Sequence, residues 1–227
     1  MNTRCQRIML ASCGGLVALF FGWPIVATAS STNSTASVSF RAVLCFAPAL
    51  AVAAPPTIEP LPTCGSSYRL TAKNLDVNPL QGTYRTISPD PVFRNTPSSS
   101  STQNRLSTDV ILPGVNGDNT VERYVLGPAR MTSSAIKSAT VEKLSGQWAV
   151  SYQLTPSGSE VWNSFARQQF HELIAIVANG RVYSSPIIQP DSTHFTSFGA
   201  TGLITGNFTA AEARRLANYM LGAVNSS

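Results

Sequence analysis

Two histidines, His171 and His194, and four cysteines are the residues of this chain with the widest catalytic repertoire. His171 stands beside Glu172, but no second histidine follows four residues on, so the helical pair that zincins use to hold zinc is absent. Its position suits the end of a helix, where the dipole favours an imidazolium. His194 has Phe195 next to it and Asp191 three residues before it, a pairing that offers at most weak acid–base chemistry against the plainer reading of a loop histidine. No Gly-x-Ser-x-Gly elbow occurs, and no glycine precedes a lysine, which removes the phosphate-cradling loop. Gly199, Gly202 and Gly206 lack the dinucleotide spacing. The expectation is a protein without a catalytic centre, metal or cofactor.

The cysteines divide by position. Cys5 and Cys13 fall in an N-terminal stretch in which Arg4 and Arg7 precede 22 uncharged residues, Ile8 to Ala29. A basic start, an apolar segment and the small-x-small Ala27-Thr28-Ala29 read either as a signal peptide cleaved after Ala29 or as an uncleaved anchor. Both readings place the rest of the chain outside the cytoplasm. Leu10-Ala11-Ser12-Cys13 imitates a lipoprotein box but has only a short apolar run before it. Cys45 and Cys64 then lie in an oxidising compartment, and a bridge between them is expected, the alternative being two free thiols. The run from Ala42 to Ala54 is too short to span a membrane. The formal charge of +5 is spread thinly, without the basic, aromatic-interleaved run of a nucleic-acid groove.

The elements that would hold these residues fall into three regions. Residues 1–29 are the targeting segment. Residues 30–120 are a Ser/Thr/Pro-rich tether and partly ordered insertion, with a half-buried strand at 38–44 and short ordered pieces at Tyr68–Leu70 and Asp109–Leu112. Residues 121–224 read as one folded unit. A strand over Val121–Leu126 stops at Gly127-Pro128, and a helix starts near Thr132 or Ser133 with Ala135, Ile136 and Ala139 inward. Gln147–Leu154 alternates, with Trp148, Val150, Tyr152 and Leu154 on one face. Thr155-Pro156 opens a helix burying Val161, Trp162, Phe165 and Ala166. Leu173–Ala178 is a strand covered on both faces, Asn179-Gly180 a type I′ turn into Arg181–Tyr183, and Thr201–Thr205 a last strand. Thr209-Ala210-Ala211-Glu212 is a capping box, and Gly222 closes its helix. The order βαβαββ, loop, βα predicts an α+β fold, an antiparallel or mixed sheet with helices on one face.

In that order the segments resemble the head of the first large extracytoplasmic domain of SecD, the export accessory subunit of SecDF, in its actinobacterial form. Arg123–Pro128 resembles the opening strand; Trp148–Thr155 with Gly158 and Trp162, the central strand and helix. Ile174–Pro186 is similar to the family's "AIVLDGxVxSAP" hairpin, and Ile204–Ala217 to its closing "ITGxFTxxEAxxLA". Phe40–Leu44 and Pro62–Cys64 are similar to upstream motifs. The resemblance carries Gly127, Trp148, Gly158, Gly180, Pro186, Gly206, Phe208 and Glu212 as family positions. It implies a non-enzymatic domain acting on exported polypeptide, with Sec translocon components as further partners. Three residues follow Val224, so the proton-driven membrane motor of that family is not expected here. The alternative is an envelope-associated structural protein that reuses the fold. If Cys45 and Cys64 are bridged, the mature protein takes up no alkylating reagent at either before reduction and one label at each after it; labelling of both in the unreduced protein refutes the bridge.

Overall fold

The computed structural model describes residues 38–50, 60–72, 77–78, 83–84, 88–114 and 123–222. The described residues fall within one compact unit. The targeting segment, including Ala29, Cys5 and Cys13, lies outside them.

β1 (Ser39–Ala47) is the structural axis. Its alternation predicts a strand with one wet face. Instead it lies in the middle of a five-stranded sheet with both faces covered, and most of its residues are buried. It pairs antiparallel with β5 (Arg123–Thr132) on one side and β8 (Ile174–Ala178) on the other. β4 (Val110–Leu112) extends the sheet beyond β5, and β9 (Arg181–Ser184) beyond β8. A two-stranded ribbon, β2 (Val77–Asn78) with β3 (Thr83–Tyr84), stands apart. A second sheet of three strands holds β6 (Ile136–Leu144), β7 (Gln147–Leu154) and β10 (Thr201–Phe208), with β7 central. All named ladders are antiparallel. Two helices, α1 (Pro156–Gln168) and α2 (Ala210–Met220), complete the α+β fold.

Three local expectations change. Gly127-Pro128 does not end β5. The strand runs through it because its register against β1 shifts between Arg41 and Val43, and a bulge is where a sheet tolerates a residue without an N–H. The expected helix after Thr132 is one 3₁₀ turn, Ser133–Ala135, followed by the nine-residue strand β6. Ser145 and Gly146, both at positive φ, join β6 to β7 as a two-residue hairpin, and the pairing gained outweighs a helical stripe of only three small apolar residues. Val161 is 43% exposed, since it falls beside the buried stripe Trp162, Phe165 and Ala166.

One face of the five-stranded sheet, through Phe40, Met131, Ile174 and Ile176, shares a core with Val150, Tyr152 and Ile204 of the second sheet and with both helices. Trp162 packs edge-on against Phe40 at 5.7 Å between centroids. The other face, through Val43, Leu126, Ala175 and Val177, is covered by loops from 60–72 and 88–114, which bring in Leu70 and Phe93. Loops lack self-satisfied backbones, so buried donors must meet their carbonyls. Arg41, fully buried, donates to the carbonyls of Arg105 (2.8 Å), Gly127 (2.9 Å) and Thr108 (3.0 Å). Burial lowers its pKa to about 10, opposed by Asp109, so it stays charged at neutral pH. Arg123 donates to the carbonyls of Pro48, Phe93 and Thr96. Asp90 accepts from the N–H groups of Gly65 and Val92. The Cys45–Cys64 disulfide, closing 19 residues of chain, ties the same loops to β1.

Arg41→Met is expected to cost about 3–5 kcal/mol in urea unfolding, because the buried Gly127 carbonyl and two part-buried ones lose a charged donor. Arg105→Ala, which leaves its carbonyl in place, should stay within about 0.5 kcal/mol. In the capping box, Thr209 donates its N–H and hydroxyl to the Glu212 carboxylate, which holds that group below its ordinary pKa. A carboxylate depressed in the folded state stabilises above its unfolded pKa and loses that contribution as pH falls through the folded value. Thr209→Ala is therefore expected to cost about 1 kcal/mol at pH 7, and less as the pH is lowered below the ordinary glutamate range.

Candidate functional site

The family positions named from the sequence do not converge on one cavity. Gly127 gives its carbonyl to Arg41. A Cβ on Gly158 would stand 2.4 Å from the Ala135 carbonyl oxygen, so α1 can seat against the 3₁₀ turn only with glycine there. Gly180 follows Asn179 in the turn, both at positive φ. The Pro186 carbonyl accepts from the Ile174 N–H. Gly206 lies under the Phe208 ring, Phe208 is buried near Tyr183, and Glu212 caps α2. Trp148 is half-buried with the Lys143 ammonium 5.6 Å from its ring centroid. Each serves a turn, a close approach or a cap.

The histidines are held by separate hydrogen bonds. His171 sits at positive φ just past α1 and stacks on Phe170 at 3.9 Å. Its Nε2 lies 2.6 Å from the Ser192 carbonyl, to which it donates, so it secures the 186–200 loop and does not serve the helix end. His194 is exposed, and its Nδ1 meets the Thr193 hydroxyl at 3.1 Å. Among the described residues no three His, Cys, Asp or Glu side chains gather as metal ligands. A groove of about 500 Å³ between α1 and β5 is lined by Arg130, Glu160, Ser164 and Gln168, and Arg130 donates to the Gln168 amide oxygen at 3.0 Å. Burial pushes the Tyr152 phenol up to about 12, since its ring packs against Gly202, where a Cβ would fall 2.3 Å from the phenol oxygen. It is a core residue.

What the fold does expose is backbone. In the five-stranded sheet, β4 has its outer edge paired: Ser99 exchanges bonds with Ile111, donating its N–H to the Ile111 carbonyl and accepting the Ile111 N–H on its hydroxyl. The outer edge of β9 gives the Val182 N–H to the Pro113 carbonyl. In the second sheet, β10 approaches β9, and the Ser184 hydroxyl donates to the Thr205 carbonyl. β6 differs. A two-residue hairpin makes Leu144 and Gln147 a hydrogen-bonded pair, so Ala139, Val141 and Lys143 fall at the alternate, non-bonded positions with N–H and C=O pointing outward. Among the described residues these outward groups have no partner. The result is an open antiparallel edge along most of a nine-residue strand.

The side chains beside that edge come from two elements. Ala139 and Val141 are half-buried and pack on the main core, under α2. α2 rests on β6 and β7 and barely reaches β10. Its Tyr219 flank faces Tyr183 of β9, at 6.5 Å between rings. By helical spacing the opposite flank, Arg214 and Leu221, overlooks β6. Both are exposed, Leu221 by 50%. Lys137 and Lys143, near the two ends of the strand, are exposed as well. Sequence reasoning missed this edge because it read the segment as helix. The signal was present in the alternation Lys137-Ser138-Ala139-Thr140-Val141 and in Ser145-Gly146.

Comparison with known proteins finds similarity to one family. A family model described as SecDF, P1 head subdomain, matches residues 110–224, just over half the chain. Protein translocase subunit SecD of Dictyoglomus turgidum is 36% identical over 92 residues, 40% of this chain and 22% of that protein. SecD of Acetobacter pasteurianus is 27% identical over 153 residues, 67% of this chain and 25% of that protein. The chain thus spans about a quarter or less of the curated relatives it matches. A crystal structure of SecDF in a super-membrane-facing form aligns with 83% of this chain and 19% of its own, at 19% identity and a TM-score of 0.44. With the head-subdomain model covering β4 through α2, the chain belongs to the SecDF P1 head subdomain family.

Proposed function

We propose that this chain is an exported, non-catalytic domain that holds extended segments of polypeptide outside the cytoplasm in support of protein export, and that the open edge of β6 is where it holds them. The observation that carries the reading is the row of outward N–H and C=O groups on Ala139, Val141 and Lys143. Strand addition to such a row binds through the main chain. It therefore suits a client that varies in sequence but is still unfolded.

Several features support it. The relatives are subunits of a protein translocase by name, and the matched family is the head of SecDF. The chain presents no clustered acid–base, nucleophilic or metal-ligand set among its described residues, so its broadest unsatisfied capacity is for backbone pairing. The Cys45–Cys64 bridge and the signal-like N-terminus agree with an extracytoplasmic site of action, where translocating segments and Sec components are the available partners.

A photo-crosslinking residue placed at Thr140, on the solvent face of β6, is expected to trap exported precursors in cells with active secretion. The same group at Ser101, on the far side of the five-stranded sheet, should trap few. Equal yields from the two positions, or none from Thr140 during active export, would refute the reading.

A further inference from the structure

The open edge of β6 is bordered by charged side chains. The charges around it are one-sided. Lys137 and Lys143 lie near its ends and Arg214 overlooks it from α2. The one carboxylate of the strand, Glu142, belongs to the opposite row of side chains, paired with Ala149 on the face away from α2. Between the cations the surface is apolar and low: Ala139, Val141 and the exposed Leu221.

From this we infer that the β6 edge selects extended segments in which apolar residues alternate with solvent-facing positions and are flanked by carboxylates. This inference rests on the edge reading proposed above and adds to it a ligand chemistry. A strand that pairs with Ala139, Val141 and Lys143 sets every second side chain on the α2 side. There the middle positions meet Val141 and Leu221, one end meets the Lys143 ammonium on the same row, and the other meets Lys137, the unpaired residue where the register shifts between Ile136 and Ser138. Aspartate or glutamate at those ends is attracted, whereas lysine or arginine there meets like charge. The spacing is set by the strand: Lys137 and Lys143 are six residues apart, about 20 Å of extended chain, so the favoured ligand is roughly seven residues long. The lysines have a second effect. Like charges on both copies oppose β6-to-β6 pairing, which keeps the edge free for other chains.

The test uses the purified protein and three fluorescent heptapeptides with a Thr/Val-alternating centre: one with acidic ends, one with basic ends, and an acidic one N-methylated at alternate amides. Fluorescence anisotropy at low salt is expected to show the acidic peptide bound about tenfold more tightly than the basic one, the combined effect of three weak exposed pairs. The gap should narrow in 0.5 M salt. It should invert in a Lys137→Glu/Lys143→Glu variant whose thermal melt matches the parent. N-methylation should abolish binding without altering the protein, and Val141→Pro, which removes an outward N–H that the fold does not use, should do the same. If methylation abolishes binding but acidic and basic peptides bind alike, or the preference survives the charge reversal, the charge inference is overturned and the edge reading stands. If neither peptide binds, or the methylated one binds equally well, the edge reading itself fails. A concentration-dependent dimer that Val141→Pro disperses would assign the edge to a second copy and overturn the inference.

Discussion

The guanidinium of Arg41 is the interaction on which the architecture depends. β1 has to be central, because both β5 and β8 pair with it, and a central strand needs cover on two faces. Helices and a second sheet supply one cover with backbones already satisfied. The other cover is loop, rich in Ser and Pro, and its carbonyls would be buried without donors. A planar cation with five N–H groups, projecting from the strand into that loop layer, meets this need at Thr108, Arg105, Gly127 and Asn104 together. Arg123 repeats the device one strand away. Charge here works beside apolar packing, which Leu70 and Phe93 supply on the same side. Burial also raises the nearby Asp109 carboxyl, with the attraction of Arg41 and Arg69 opposing the shift, so the loop layer carries its charges where they can compensate one another.

Much of the fold was legible where one local rule acted alone. Thr209 and Glu212 could only be a cap, Thr155-Pro156 only a helix start, and Asn179-Gly180 only a tight turn, and each is found so. The disulfide followed from compartment and count. Errors arose where two local rules competed. Ala135, Ile136 and Ala139 satisfy a helical spacing after a Ser/Thr start, while Lys137 to Val141 satisfy a strand. The decisive contribution is the pairing with β7, which no window of sequence contains. Arg41 shows the same limit: an arginine in an alternating strand reads as the wet face, and only the loops folded over it make it the most buried side chain of the strand by volume. The candidate site was therefore hidden by the same misreading that hid β6, and its recognition required knowing which other edges are closed.

The two sheets treat their edges differently, and this bears on how such a domain can bind without aggregating. Ser99, Pro113 and Ser184 each close an edge with one or two bonds, which suffices because those strands are short or bordered by other elements. Among the described residues β6 is long and unclosed, and its protection is electrostatic, through Lys137 and Lys143. Such protection is conditional: it repels some chains and admits others. A covalent or hydrogen-bonded closure would exclude all of them. On the open face of the second sheet, Thr140 is bonded to Ser151 across the strands, and Leu203 beside them is exposed.

The central place of β1 also has a temporal meaning. Its partners β5 and β8 lie far downstream: one side of β1 waits for Arg123–Thr132 and the other for Ile174–Ala178. Folds built on such distant pairings assemble slowly, since chain closure precedes the reward. A chain that emerges from its N-terminus onward therefore leaves β1 without one or both neighbours until Ala178 is present. Cys45 and Cys64, by contrast, are near neighbours in sequence and can join before any sheet exists. A bond made at that stage would fix which loop lies on the central strand before the sheet assembles around it.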